Sequence, residues 1–412
     1  MIANKLSGSL VAAFLLTAAF SIQAEDWPQW RGPNRDGLSK ETGLLKEWPE
    51  GGPNLAWKAQ GFGVGYSSVS IADGRIFTLG DVDGGSQVIA ADESNGRILW
   101  KTRIGGEGGH RKYPGTRSTP TVDGGQVFAL NQFSDLACLD AKTGKQIWKV
   151  NLIEDFGGKM MSGWKYSESP LVDGDQVIAT PGGSQGTVVA LNRKNGRKLW
   201  QTSDWTDTAG YSSVVIKNLH GVRQYIQLTG KSVAGIDPDS GEILWKADRP
   251  GKTAVVSTPV VKDDVVFVTS AYGVGCSAFR IDKQGNKWTT KLLYANKAVA
   301  NHHGGVIRLG DHVFGSSGPS FACVDIKSGE GGFSERSVGK GATVFADGRF
   351  YLRAESGPVA LIVATPEGLK EAGRFKQPDR SNDRAWPHPV VANGKLYLRD
   401  QDLLLCYDVK GK

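Results

Sequence analysis

The chain has 412 residues, among them 55 glycines, 12 tryptophans and only 3 methionines, a balance that suits a turn-dense all-β protein and excludes a helical one. Its formal charge of +7 is dispersed without any basic block. That pattern gives no footprint for nucleic acid and leaves only a weak preference for anionic surfaces.

Residues 1–24 read as an export signal. Lys5 supplies a short positive region, Leu10 to Phe20 is an apolar run too short to span a bilayer, and Ile22-Gln23-Ala24 offers a small-residue cleavage site before Glu25. A periplasmic or otherwise exported protein is therefore expected. The first cysteine in the chain is Cys138, so no lipid anchor is expected at the cleavage point. Residues 25–53 open on WPQWRGPNRDG and are expected to brace the rest of the fold or cover one of its faces.

From residue 54 onward the chain repeats itself. An indole recurs at Trp57, Trp100, Trp148, Trp200, Trp245 and Trp288, and Phe333 and Phe375 continue the series, at intervals of 42 to 52 residues. This is the length of one four-stranded propeller blade and too long for most helical repeats. Each unit spells short apolar runs of period two between turn signals, as in STPTVDGGQVFALNQFSDLACLDAKTGKQIWKVN, which predicts four strands per unit. In the last turn of a unit, Asp or Asn bonds its own backbone, and Gly96, Gly144, Gly196 or Gly241 supplies the positive φ.

The two ends of the chain are complementary. The C-terminal stretch HPVVANGKLYLRDQDLLLCYDVKGK supplies three strands and stops where a tryptophan-bearing fourth should begin, whereas Asn54-Leu55-Ala56-Trp57-Lys58 is a fourth strand with no three before it. Residues 54–412 are therefore predicted to form a single domain, an all-β, eight-bladed β-propeller of four-stranded antiparallel blades. Its last blade is closed by the N-terminal strand. Such closure removes the free sheet edges that invite aggregation.

Cys138, Cys323 and Cys406 share one register of the third strand, two residues before Asp140, Asp325 and Asp408, in blades 2, 6 and 8, which are not neighbours. The same slot holds Ala90, Ala190 and Gly235 elsewhere, so cysteine is expected there as a small hydrophobe. Cys276 stands alone near a turn. No disulfide and no thiol chemistry are predicted.

Candidate functional residues lie where the loops stop obeying the repeat. The loop leading into each innermost strand lies at one mouth of a propeller's channel, so these residues converge there. They include Tyr66 from GVGYSS, His110 through Tyr113 and Arg117 from HRKYPGTRSTP, and Trp164, Lys165, Tyr166 and Glu168 from WKYSESP. Further round come Tyr211 from AGYSS, His302 and His303 from NHHGG, and Arg384, Trp386 and His388 from DRAWPHP. Imidazole, guanidinium and aromatic faces at one rim can hold an anionic planar ligand or an extended peptide. The same side chains can also plug the channel and hydrogen-bond one another.

The turn-plus-tryptophan pattern, as in DAKTGKQIW and DPDSGEILW, resembles the pyrroloquinoline-quinone-type propeller repeat shared by quinoprotein alcohol dehydrogenases and by the outer-membrane assembly lipoprotein BamB, over essentially all of residues 54–412. WPQWRGPNRDG likewise resembles the start of exported bacterial members of this repeat family. The resemblance implies that Trp57, Trp100, Trp148, Trp200, Trp245 and Trp288 dock neighbouring blades. The chain also departs from those families: no two cysteines are adjacent, no CxxCH haem motif is present, and only Glu168 and Asp383 are acidic in the candidate loops. That is thin support for a calcium site. The acylated cysteine of the assembly lipoprotein is absent as well.

The reading that follows is a monomeric, exported, non-catalytic binding or scaffold module that meets an envelope protein or peptide through the channel-mouth loops. It has no catalytic residues, no metal and no cofactor. One alternative is a quinoprotein dehydrogenase or cofactor-binding remnant, with pyrroloquinoline quinone and calcium, using Arg117, Lys165 and His303 against the cofactor's carboxylates. Another is a carbohydrate or small-ligand binder exploiting Tyr166 and Trp386.

Overall fold

Alternating apolar runs such as Gln126–Leu130 and Asp135–Asp140 form strands because their β-branched and aromatic side chains fit a pleated surface covered on both faces. The computed structural model describes residues 26–411, and the expected export signal lies outside them. Strands in the described residues assemble into eight antiparallel four-stranded blades, one of them extended by a fifth, parallel strand, besides a small two-stranded hairpin. Blades 1 to 7 occupy residues 70–105, 121–151, 171–201, 215–248, 260–296, 306–336 and 341–375, and blade 8 combines residues 390–408 with Asn54–Ala59. The first strand of each blade is innermost, and those of blades 1 to 3 and of blades 5 to 8 touch in turn round a central axis.

The ring closes as the sequence predicts. Leu55 pairs with Tyr407, Trp57 with Cys406 and Ala59 with Leu404, so the strand Asn54–Ala59 completes the blade that the C-terminal strands leave short. Apolar clusters straddle neighbouring blades. One joins Phe128, Leu136 and Cys138 of blade 2 to Val177, Val189 and Leu191 of blade 3. Burial of this kind supplies roughly 25 cal/mol per Å² of apolar surface removed from water, so each blade depends on its neighbour for stability.

Three successive joints between blades follow one geometry. The indole N–H of Trp100 donates to Ala141 O at 3.2 Å, that of Trp148 to Arg193 O at 2.7 Å and that of Trp200 to Pro238 O at 3.0 Å, each in the next blade. Each ring also lies over a turn glycine. At Gly144 φ is +73°, and a Cβ there would come within 2.6 Å of the Trp100 ring, so both the backbone and the joint demand glycine. Trp57 covers Gly96 of blade 1 in the same way, and Trp245 packs among Val266, Phe279 and Ile281 of blade 5.

Two positions in the aromatic series need correction. In blade 5 the outer hairpin is longer, with strands Gly275–Gln284 and Lys287–Asn296. Trp288 therefore pairs far out with Lys283, and its ring meets His220 of the preceding blade at 6.1 Å. The docking position passes to Tyr294, which lies opposite Ala278, covers Gly329 and donates its hydroxyl to Ile326 O at 3.0 Å. In blade 7 the residue opposite Leu361, beside the strand bulge, is Gly373 and not Phe375. The aromatic ring there is Trp48 of the N-terminal segment, whose backbone N–H donates to Ala372 O at 2.9 Å and whose ring lies 5.3 Å from Phe375.

Cys138 and Cys406 lie opposite Trp148 and Trp57, and all four cysteines are buried and free. Burial pushes the thiols of Cys138, Cys323 and Cys406 up to about 12, which keeps them protonated and unreactive.

The segment from Trp27 to Ser39 crosses the axis. Trp27 exchanges backbone hydrogen bonds with Ile71 of blade 1, and Pro28 O accepts from Val122 of blade 2. Arg35 donates to Ser169 O and Pro170 O beside blade 3, Trp30 to Thr258 Oγ1 beside blade 5, and Arg31 to Val306 O of blade 6. Leu38–Ser39 then adds a parallel strand to Phe345–Ala346 of blade 7. These partners surround the axis, so the segment stops the channel.

Candidate functional site

Above this stopper the channel mouth forms a blind cup of about 290 Å³. Strands in a blade run antiparallel, so the loop leading into the first strand and the turn between the second and third open on the same face. Both kinds of connection supply the cup. Its floor is Trp30, whose ring lies 4.3 Å from that of His388. One wall is aromatic: Trp386 lies 4.8 Å from Tyr66 and 4.7 Å from Tyr113, Tyr113 lies 5.8 Å from Trp164, and the Arg117 guanidinium sits 5.6 Å from the centre of the Tyr66 ring. Such tilted ring packing with a cation above one face is favourable and rigid.

The opposite wall is polar. Tyr272 OH meets His302 Nε2 at 2.9 Å, the Nδ1 atoms of His302 and His303 are 3.2 Å apart, and Lys340 Nζ donates to His302 Nδ1 at 3.3 Å. Glu355 receives Lys340 at 3.0 Å, the Trp386 indole N–H at 3.0 Å and Arg384 at 3.7 Å. His388 Nε2 contacts His303 O at 2.8 Å. Burial, with Lys340 as a like charge, lowers His302 to about 4, and burial lowers His388 to about 3. His303 falls well below its ordinary value for the same reason. These imidazoles are neutral at pH 7. Among the described residues the cup therefore carries Arg117, Lys340 and Arg384 against the one carboxylate of Glu355.

Of the residues singled out from sequence, Tyr66, Arg117, Tyr211, His302, His303, Arg384, Trp386 and His388 line the cup, together with Tyr113 and Trp164. Four others do not. His110 stacks on Trp164 at 4.0 Å in the small hairpin Gly109–Pro114 on the rim. Lys165 turns away to lie 5.5 Å from the Phe133 ring, and Tyr166 is a core residue that donates to Pro181 O at 2.8 Å. Glu168 is buried between blades, where it accepts from Thr180 N at 2.7 Å and Thr180 Oγ1 at 2.9 Å. Burial raises Glu168 to about 7, opposed by those hydrogen bonds.

Sequence reasoning passed over Trp30, Tyr272, Lys340 and Glu355. Tyr272 and Glu355 belong to turns between second and third strands, which open on the same mouth but carry no repeat-breaking signature. Lys340 does precede an innermost strand, yet its context SVGKGA holds no aromatic or histidine to draw notice.

A family model described as outer membrane protein assembly factor BamB matches residues 50–130 and 84–335. The chain belongs to this family. A BamB from Burkholderia pseudomallei is 27% identical over 226 residues, which cover 52% of this chain and 54% of that protein. The chain spans about half the length of the curated BamB relatives it matches. Among solved structures, BamB from Moraxella catarrhalis aligns with a TM-score of 0.60 at 15% identity, covering 89% of this chain and all of that one. The quinohemoprotein alcohol dehydrogenase from Comamonas testosteroni aligns with a TM-score of 0.66 at 12% identity, covering 94% of this chain and 81% of that one. At these identities the two structures share the propeller fold and carry no further argument.

The cup does not fit pyrroloquinoline quinone with calcium. Calcium takes six to eight oxygen ligands, and among the described residues Glu355 is the only carboxylate lining the cup. Of Arg117, Lys165 and His303, proposed against the cofactor's carboxylates, Lys165 lies elsewhere. The cysteines are buried in separate blades.

Proposed function

We propose that this BamB-family chain is an exported, non-catalytic binding propeller whose axial cup receives a group presented by an envelope protein or peptide. The observation that carries the reading is the stoppered cup. Trp30 closes it from below, so the opening admits a side chain or chain end and not a threaded polymer. Aromatic walls with Arg117 and Arg384 near the mouth suit a planar or anionic group. Rings held by one another lose little entropy on binding. The family's description as an outer membrane protein assembly factor supports a protein partner in the envelope.

The test is capture from envelope extract by the immobilised chain. Trp386→Ala and Trp30→Ala are each expected to weaken capture by roughly tenfold or more, as buried aromatic anchors do, while Trp288→Ala on the outer rim leaves it unchanged. Equal capture by all three variants would overturn the reading. A carbohydrate or other small ligand is the second reading, favoured by a cup volume at the small end of the small-molecule range. Glycan binding that persists in Trp386→Ala would count against it, and the buried Tyr166 takes no part in either.

A further inference from the structure

The polar wall of the cup gathers donors of the kind that hold a metal. His302, His303 and Glu355 each offer one ligand atom, and these atoms lie within 4.8 Å of one another. Two imidazoles and a carboxylate are the donor set of open zinc-type and non-haem iron-type sites. We propose that His302, His303 and Glu355 bind a divalent first-row transition-metal ion in the place now taken by the Lys340 ammonium, with one coordination position facing the cup.

Two observations carry this. First, the donors are close to ligating distance. Bonds of about 2.0–2.1 Å at tetrahedral angles separate ligand atoms by roughly 3.4 Å, and the His302 and His303 Nδ1 atoms are already 3.2 Å apart. Second, a cation already sits where the donors converge: Lys340 Nζ is 3.0 Å from Glu355 Oε1 and 3.3 Å from His302 Nδ1. The Lys340 side chain is 32% exposed, so its flexible stem can swing into solvent and yield the position.

The surrounding groups behave as supports. Tyr272 OH holds His302 at Nε2, and the Trp386 indole N–H holds Glu355 at 3.0 Å. Partners of this kind orient ligands and commonly change metal affinity 10- to 100-fold when lost. The site shares the cup with the proposed binding function but does not rest on it, since no partner contributes a ligand.

The probe is cobalt(II) alone, titrated into the tag-free, EDTA-treated full chain and followed by its visible absorption. One equivalent is expected to bind with a saturable band and to be displaced by zinc. Glu355→Gln and His303→Ala should each weaken binding by roughly tenfold or more, and Lys340→Met should tighten it about threefold or more because the competing ammonium is gone. The melting temperature of each variant in metal-free buffer establishes that it is folded, and Lys340→Met keeps the test decisive should His303→Ala unfold. Absence of one-equivalent binding, or equal affinity in wild type, Glu355→Gln and Lys340→Met, overturns the proposal. Partner capture measured in EDTA separates the two readings: capture without metal leaves the binding function standing whatever cobalt does.

Discussion

The outer joints and the axial cup are built on opposite terms. At the joints an aromatic ring lies over a turn glycine of the next blade, and Trp100, Trp148 and Trp200 each donate to a backbone carbonyl there. At the cup nothing recurs. Trp30 comes from the segment that stops the channel, Tyr272 and Glu355 from turns between second and third strands, and the remainder from lead-in loops of unequal length. Every blade must meet the next one, so the joint has essentially one solution and the sequence repeats it. The cup has no such partner to match, and its residues are free to serve a ligand while the ring holds them rigid.

The comparison is broken most severely at a joint. Trp148→Ala is expected to cost about 3–5 kcal/mol, the usual penalty for a large aromatic removed from a core, measured by urea unfolding. Tyr294→Ala should cost nearly as much, although no repeat marks it. Trp288→Ala should cost less, about 1–2 kcal/mol, because this half-buried ring packs only against the edge of a core. Equal losses at Tyr294 and Trp288 would contradict the joint assigned to blade 5.

Buried titratable groups near the axis make stability depend on pH from both sides. Glu168 is raised from 4.5 to about 7, so between those values the folded protein keeps a proton that the unfolded chain has released, and stability falls as pH rises. His302 and His388 are lowered from 6.5 to about 4 and about 3. Below pH 6.5 the unfolded chain takes up protons that the folded protein refuses, and stability falls as pH drops. Glu168→Gln is expected to remove the neutral-side loss and to improve stability at pH 8 relative to pH 5 by on the order of 2–3 kcal/mol against wild type, at about 1.4 kcal/mol per pKa unit. Unfolding free energies at the two pH values check it, and an unchanged difference would show that Glu168 ionises freely in the folded protein.

The smallest expected effect sharpens the joint itself. Gly144→Ala places a Cβ at a φ of +73° and within 2.6 Å of the Trp100 ring, so a loss of about 1–3 kcal/mol is expected in the same unfolding assay. Gly74→Ala, at φ +69° but with open space around it, isolates the backbone part and should cost about 1 kcal/mol.

Much of the fold was legible because its determinants are local and repeated. The period of the tryptophans, the Asp-to-Gly turns and the unmatched ends specify blade length, blade number and closure, and the pairing of Trp57 with Cys406 follows. The exceptions have physical causes. A longer hairpin moved Trp288 outward and handed its place to Tyr294, and a glycine at 373 left room for Trp48 from a distant segment. Sequence spacing counts residues along the chain, whereas a joint is defined by register beside a bulge. In the cup, the lead-in loops were recognised by their aromatic and histidine content. The same content misplaced Tyr166 and Glu168, because their side chains turn into the core to bond Pro181 O and Thr180, partners that lie in the next turn of the blade and carry no mark in the loop itself.

By itself, the sequence determined the architecture of this protein: an eight-bladed ring whose repeats encode one packing joint and whose termini complete each other. Tertiary structure alone decided that Trp27 to Ser39 would close the channel and that Trp30, Lys340 and Glu355 would meet His302 and His303 around one cup. The reason is that a repeat is a nearest-neighbour rule, readable wherever it occurs, while the cup is an intersection of segments hundreds of residues apart whose only common property is their distance from the axis.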